Sequence, residues 1–118
     1  MPRVLIVEDE PTVRELLCEI LAESYECVAV ATAEEGLRLL SESAFDAAIT
    51  DLKLPGMGGE EFLLRAHELS PRLPVIVVTG ADSDEGKFME EGAFGYILTP
   101  FRFEEVEKLV GRATGVIP

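Results

Sequence analysis

Val4-Leu5-Ile6-Val7-Glu8-Asp9-Glu10-Pro11 is the stretch from which the fold is read. Four consecutive apolar residues, β-branched in part, predict a strand buried on both faces. Strands of that kind belong to parallel sheets covered by helices. The acidic triplet stops the strand. Pro11 suits the first turn of a helix, where its missing N–H costs nothing. Val13, Leu16, Leu17, Ile20 and Leu21 then recur at spacings of three and four, which places them on one apolar helical face.

The same unit repeats along the chain. Val28-Ala29-Val30-Ala31 predicts a second strand. Thr32 with Glu35 forms a capping-box pattern ahead of a helix carrying Leu37 and Leu40. Ala47-Ala48-Ile49-Thr50 predicts a third strand that ends at Asp51. The Pro and Gly content of Lys53-Leu54-Pro55-Gly56-Met57-Gly58-Gly59 marks a loop. Phe62, Leu63, Ala66 and Leu69 mark a third helix, closed by Ser70-Pro71. Val75-Ile76-Val77-Val78 is the clearest buried strand, ended by Thr79-Gly80. Asp82 with Glu85 offers a cap for a fourth helix. That helix is weakly specified, because Gly86 interrupts it and only Phe88 and Met89 are strongly apolar before Gly92 closes it. Tyr96-Ile97-Leu98 predicts a fifth strand, broken by Thr99-Pro100. Phe103, Val106, Leu109 and Val110 line the last helix. Five βα units predict an α/β fold with right-handed crossovers and a parallel sheet covered on both faces. In such sheets ligands bind beyond the C-terminal strand ends, where strand order reverses.

The 118 residues suit one domain over 1–118, with 111–118 read as the start of a linker or a frayed end. An apolar content of 47% is too high for a disordered chain. No apolar run approaches the ~18 residues that cross a bilayer, and Met1-Pro2-Arg3 leads into a strand with no cleavage-site pattern. The expectation is a cytoplasmic protein without a membrane partner. A formal charge of -13 argues against direct nucleic-acid binding, since phosphate backbones repel such a surface. Cys18 and Cys27 have no metal-ligand spacing and read as free thiols, buried or half-buried. His67, beside Arg65 and Glu68 on the third helix, reads as a surface residue.

The predicted strand ends gather Glu8 and Asp9 from the first strand, Asp51 from the third, Thr79 from the fourth and Thr99 from the fifth. If the first and third strands are neighbours, three carboxylates lie together, and like charges at short range are costly. A divalent cation relieves that cost. Mg²⁺ suits carboxylate oxygens and keeps positions for water or a phosphoryl oxygen. Each residue also has a plainer reading. Glu8 or Asp9 can cap the following helix, Asp51 can form a turn, and Thr79 can be a capping hydroxyl. The joint occurrence at the ends of separate strands favours the site.

These residues resemble the receiver domain of bacterial two-component response regulators, over essentially the whole chain. Val4-Leu5-Ile6-Val7-Glu8-Asp9-Glu10 resembles the family's first strand and acidic pair. Asp51-Leu52-Lys53-Leu54-Pro55-Gly56-Met57-Gly58-Gly59 resembles the phosphoacceptor segment, with Gly58 where an Asp is common. Val77-Val78-Thr79-Gly80 resembles the switch-hydroxyl segment, and Gly92 to Phe101 resembles the last-strand motif in spacing. The resemblance implies a flavodoxin-like, doubly wound (βα)5 fold with strand order 2-1-3-4-5. It implies that Asp51 is the phosphoacceptor and that Glu8, Asp9, Asp51 and the backbone carbonyl of Lys53 hold Mg²⁺. Thr79 would donate its hydroxyl to the phosphoryl group. Tyr96 would be the aromatic switch, changing the face of the fourth helix, fifth strand and fifth helix. The implied partners are a histidine kinase or phosphotransfer protein, and a downstream protein or an output domain outside these residues. A homodimer through the last helix face also fits. Such a domain is no ordinary enzyme: it phosphorylates itself from a donor and slowly hydrolyses the product.

Thr99 departs from the family, which places a Lys before this Pro. A threonine offers a hydroxyl but no charge, so weaker phosphoryl stabilisation is expected. Lys53 is near enough in sequence to compensate, or is a solvated loop lysine. In the family the bond before Pro100 is cis, and an X–Pro bond tolerates that at low cost. Phe88, Met89, Phe94 and Phe101 are either core or partner contacts.

The alternative is a degenerate receiver, a phosphorylation-independent binding module, which Thr99 supports. Two other classes fit poorly. A phosphatase with its nucleophile after the first strand wants a second Asp two residues on, and Asp9-Glu10-Pro11 lacks it. A flavin carrier wants a Ser/Thr/Gly-rich phosphate loop there, whereas this loop is acidic.

Overall fold

A computed structural model describes residues 1–80 and 85–116. Among these residues ten elements alternate: β1 (Arg3–Val7), α1 (Pro11–Leu21), β2 (Glu26–Val30), α2 (Ala33–Glu42), β3 (Ala47–Asp51), α3 (Gly59–Leu69), β4 (Val75–Thr79), α4 (Glu85–Glu90), β5 (Gly95–Leu98) and α5 (Phe103–Thr114). All strand pairs are parallel, in the order β2-β1-β3-β4-β5. This is the doubly wound arrangement that the family resemblance implies. The chain leaves β1 toward β2 on one side and returns to β3 on the other. The crevice between β1 and β3 is therefore the switch point of the sheet.

Period-two alternation splits each central strand between two apolar layers. Leu5 and Val7 of β1 pack with Ala48, Val75, Val77, Phe62 and Leu63 beneath α2 and α3. Val4 and Ile6 pack on the opposite face with Ile49, Ile76, Val78, Leu17, Leu21, Val106 and Val110 beneath α1 and α5. Two fully apolar faces explain why β1, β3 and β4 read as continuous apolar runs rather than alternating ones.

Several elements differ from their expected bounds. β2 starts two residues early, because Glu26 pairs with Arg3 as an edge-strand residue. The salt bridge between those two side chains, 3.4 Å long, lies at the same point. α5 runs through Gly111 to Thr114 and closes on Gly115 at φ 80°. α4 is only six residues long. The expected cap by Asp82 and Glu85 lies outside the described residues. Phe88 is buried, whereas Met89 and Phe94 are exposed and Phe101 packs against the core edge. Cys18 and Cys27 are half-buried free thiols, and burial pushes the Cys27 thiol up to about 11.

His67 is not a surface residue. It is half-buried, and its Nε2 lies 3.0 Å from the Leu73 carbonyl oxygen. The ring also packs against Gly92, whose φ of 103° is closed to most side chains. His67 thus ties α3 to the segments before β4 and β5. Among the described residues no helix is long and apolar enough to cross a membrane.

Candidate functional site

The C-terminal ends of β1 and β3 lie side by side, with Val7 opposite Thr50. Glu8 follows β1 and is 3% exposed. Its Oε2 accepts the Glu10 N–H at 3.0 Å. Helix capping falls to neither Glu8 nor Asp9 but to Glu10, whose carboxylate accepts the N–H groups of Thr12 (3.3 Å) and Val13 (3.0 Å). That occupies two orphan donors of α1 and leaves the other two carboxylates available. Arg14, one turn into α1, donates from Nη1 to the carbonyl oxygens of Glu8 (2.9 Å) and Asp9 (3.4 Å) and holds the acidic loop against the helix.

Asp51 ends β3. Its Oδ1 accepts the Lys53 N–H at 3.4 Å, and the Leu52 N–H bonds the Val78 carbonyl at 3.0 Å. The loop then returns so closely that the Gly59 N–H donates to the Leu52 carbonyl at 3.0 Å. A Cβ on Gly59 would collide with the Asp51 carbonyl oxygen. Gly59 is thus a requirement of the approach of α3 to this strand end.

Carboxylate oxygens of Glu8, Asp9 and Asp51 all lie within 4.8 Å of one another. Burial pushes the Glu8 carboxyl up to about 7, and the neighbouring Asp51 charge adds to the effect. Burial also raises Asp51, against the opposing hydrogen bond from the Lys53 N–H. Three crowded oxygen donors, two of them reluctant to ionise, match the needs of a hard divalent cation.

The cluster opens into a cavity of about 350 Å³ lined by Glu8, Glu10, Val13, Asp51, Leu52, Lys53, Val78, Thr79, Gly80 and Thr99. Thr79, 3% exposed at the end of β4, has its hydroxyl 3.5 Å from the Gly80 carbonyl oxygen, a long contact that a better acceptor could replace. Thr99 forms the far wall. Its N–H donates to the Thr79 carbonyl at 2.9 Å and its hydroxyl lies 3.4 Å from the same oxygen. The Thr99-Pro100 bond is cis. The structure thus brings Glu8, Asp51, Lys53, Thr79 and Thr99 around one cavity, with Asp9 in the adjoining carboxylate cluster. Tyr96 is not among them: it lies on β5, 40% exposed.

Sequence reasoning missed Glu10, Arg14 and Gly59. Glu10 is not a preferred N-cap residue, although its place before Pro11 was a signal. Arg14 stands one turn beyond an acidic loop. Gly59 stood within a loop already rich in Gly, where nothing singled it out.

The chain resembles known proteins along nearly its whole length. It is 38% identical to the response regulator protein FleR of Pseudomonas aeruginosa over 120 residues, covering 98% of this chain and 25% of that protein. It is 35% identical to the two-component response regulator PhoP of Pseudomonas aeruginosa, covering 98% of this chain and 54% of that protein. The chain therefore spans a quarter to about half of these relatives. A CheY-like response regulator receiver domain protein from Methanospirillum hungatei superposes with a TM-score of 0.91 at 34% identity, covering 98% of this chain and 95% of that one. Residues 4–111 match the family described as the response regulator receiver domain. The chain belongs to that family, the receiver domains of response regulators.

Proposed function

We propose that this receiver is a phosphoacceptor switch in which Asp51 takes a phosphoryl group. The observation that carries the reading is the set of three carboxylates within 4.8 Å at the mouth of a cavity walled by two threonines. Glu8, Asp9, Asp51 and the backbone carbonyl of Lys53 would hold Mg²⁺. Bound there, the ion would offset the repulsion between a carboxylate nucleophile and an anionic phosphoryl group. An Asp51 oxygen attacks phosphorus. The bond from phosphorus to the donor's imidazole nitrogen or acyl oxygen breaks, and the electron pair leaves with the donor. The product is an aspartyl acyl phosphate. Water attack on phosphorus later releases inorganic phosphate and restores the Asp51 carboxylate.

The new charge of about -2 draws the Thr79 hydroxyl from its long contact with Gly80 toward a phosphoryl oxygen. Tyr96 follows inward. The exposed Met89, Phe94, Tyr96 and Leu98 make the surrounding face apolar enough to exchange partners. The donor would be a histidine kinase or phosphotransfer protein. The response would pass to a downstream protein or an output domain, or to a second copy through the α5 face. The site works in the cytoplasm, where such donors are found. A second reading, favoured by Thr99, is a binding module that no longer takes phosphate.

The test is incubation with acetyl phosphate and Mg²⁺, followed by intact mass. The expected result is a gain of one phosphoryl group that disappears with EDTA and in Asp51→Asn. A protein whose mass never changes supports the binding module instead.

A further inference from the structure

We infer that Lys53 supplies the positive charge for the phosphoryl group that Thr99 does not. This rests on the reading of Asp51 as phosphoacceptor. A phosphoryl group brings about two negative charges into a site that already holds three carboxylates. Preorganised cations at the oxygens where charge accumulates are a large part of how such sites work. The far wall offers none, because Thr99 is neutral and both its N–H and its hydroxyl face the Thr79 carbonyl.

Lys53 is the one cation among the described residues that line the cavity. Its own N–H donates to Asp51 Oδ1, so its backbone is fixed beside the acceptor oxygen. Its side chain is exposed, and among the described residues its ammonium forms no ion pair. Arg14, which reaches the same acidic loop, is committed to the carbonyls of Glu8 and Asp9. A compact ammonium on a flexible four-carbon stem with three donors can fold back over the residue two positions before it. With a threonine at 99, the charge that the described lining offers comes from Lys53.

Phosphorylation by acetyl phosphate in Mg²⁺, followed by intact mass, would be compared among wild type, Lys53→Gln, Lys53→Arg, Thr99→Lys and the Lys53→Gln/Thr99→Lys pair. Mg²⁺ affinity would be measured on the same proteins by NMR titration without phosphodonor. Lys53→Gln is expected to accumulate the adduct about tenfold more slowly, the loss of one charge-assisted hydrogen bond. Lys53→Arg should stay near wild type, and adding Thr99→Lys to Lys53→Gln should restore the rate. Lys53→Gln should also bind Mg²⁺ roughly threefold more tightly, because a competing cation is gone. Wild-type rate and wild-type Mg²⁺ affinity in Lys53→Gln would overturn the inference and make Lys53 a solvated loop residue. An adduct in Thr99→Lys but none in the wild type would overturn it too, while leaving Asp51 as acceptor. No adduct in any protein would overturn the reading of Asp51 itself, and the inference with it.

Discussion

Glu8 sits in a conflict that the rest of the site is built around. Its carboxyl is nearly excluded from solvent and faces Asp51, and it is held up to about 7 from an ordinary value of 4.5. In the folded chain it keeps a proton that the unfolded chain has already lost. Stability must therefore fall as pH rises from about 4.5 to 7 and level off above that. Asp51 is shifted in the same direction, so the decline belongs to the two carboxyls together. Thermal melting in EDTA should show Tm declining across that window, and Glu8→Gln should flatten the decline. Excess Mg²⁺ should raise Tm most at the alkaline end, where the carboxylates are ionised and the ion binds only the folded site. The acidic residues themselves were legible, because each stands at the end of a separate apolar run. Their division of labour was not. Whether Glu8 or Glu10 caps α1 depends on side-chain direction, which the order of residues leaves open.

At the scale of elements, legibility followed the strength of local signals. β1, β3 and β4 are buried on both faces, so their apolar runs announce them. α2 begins where Thr32 and Glu35 predict: the Thr32 hydroxyl accepts the Glu35 N–H at 3.2 Å and also contacts the Glu35 carboxylate at 3.2 Å. The reciprocal arm goes to the hydroxyl rather than to the Thr32 N–H, so this is a capping box in part. Thr32→Ala should cost about 1 kcal/mol in urea denaturation, whereas Thr32→Ser should be close to neutral. α4 was the least legible element. Its buried contact comes from Phe88, and its tie to α3 is the ion pair of Lys87 with Glu60, which no periodicity encodes. His67 was misread for a related reason. It stands beside the apolar stripe of Phe62, Leu63 and Ala66, but its carbonyl partner comes from the loop that ends in Leu73, and local spacing cannot show that.

The whole molecule is two apolar layers on one sheet, and both reach the cavity: Val13 and Val78 from the layer under α1 and α5, Leu52 from the layer under α2 and α3. Phe62 is fully buried there. It packs close to Gly36, where an added Cβ would meet the ring at 2.9 Å. Phe62→Ala should destabilise the fold by about 3–5 kcal/mol in urea denaturation, a large share of the stability of a domain this size. Loss of that packing should also loosen the start of α3, three residues earlier, where Gly59 closes against Asp51. The parallel order of the strands is what converts four separate strand ends, those of β1, β3, β4 and β5, into one cavity. The excess of acidic over basic residues, 23 against 10, gives the chain a net negative charge, and three carboxylates of it stand at the cavity mouth. We propose that this architecture makes Asp51 a phosphoacceptor. The most direct test is to treat the protein with acetyl phosphate and Mg²⁺, reduce it with borohydride, and map peptides by mass spectrometry. Reduction of an aspartyl acyl phosphate leaves homoserine at the acceptor position. Homoserine at position 51 alone is the predicted result. Its appearance at another aspartate, or at none, would rule out Asp51 as the acceptor.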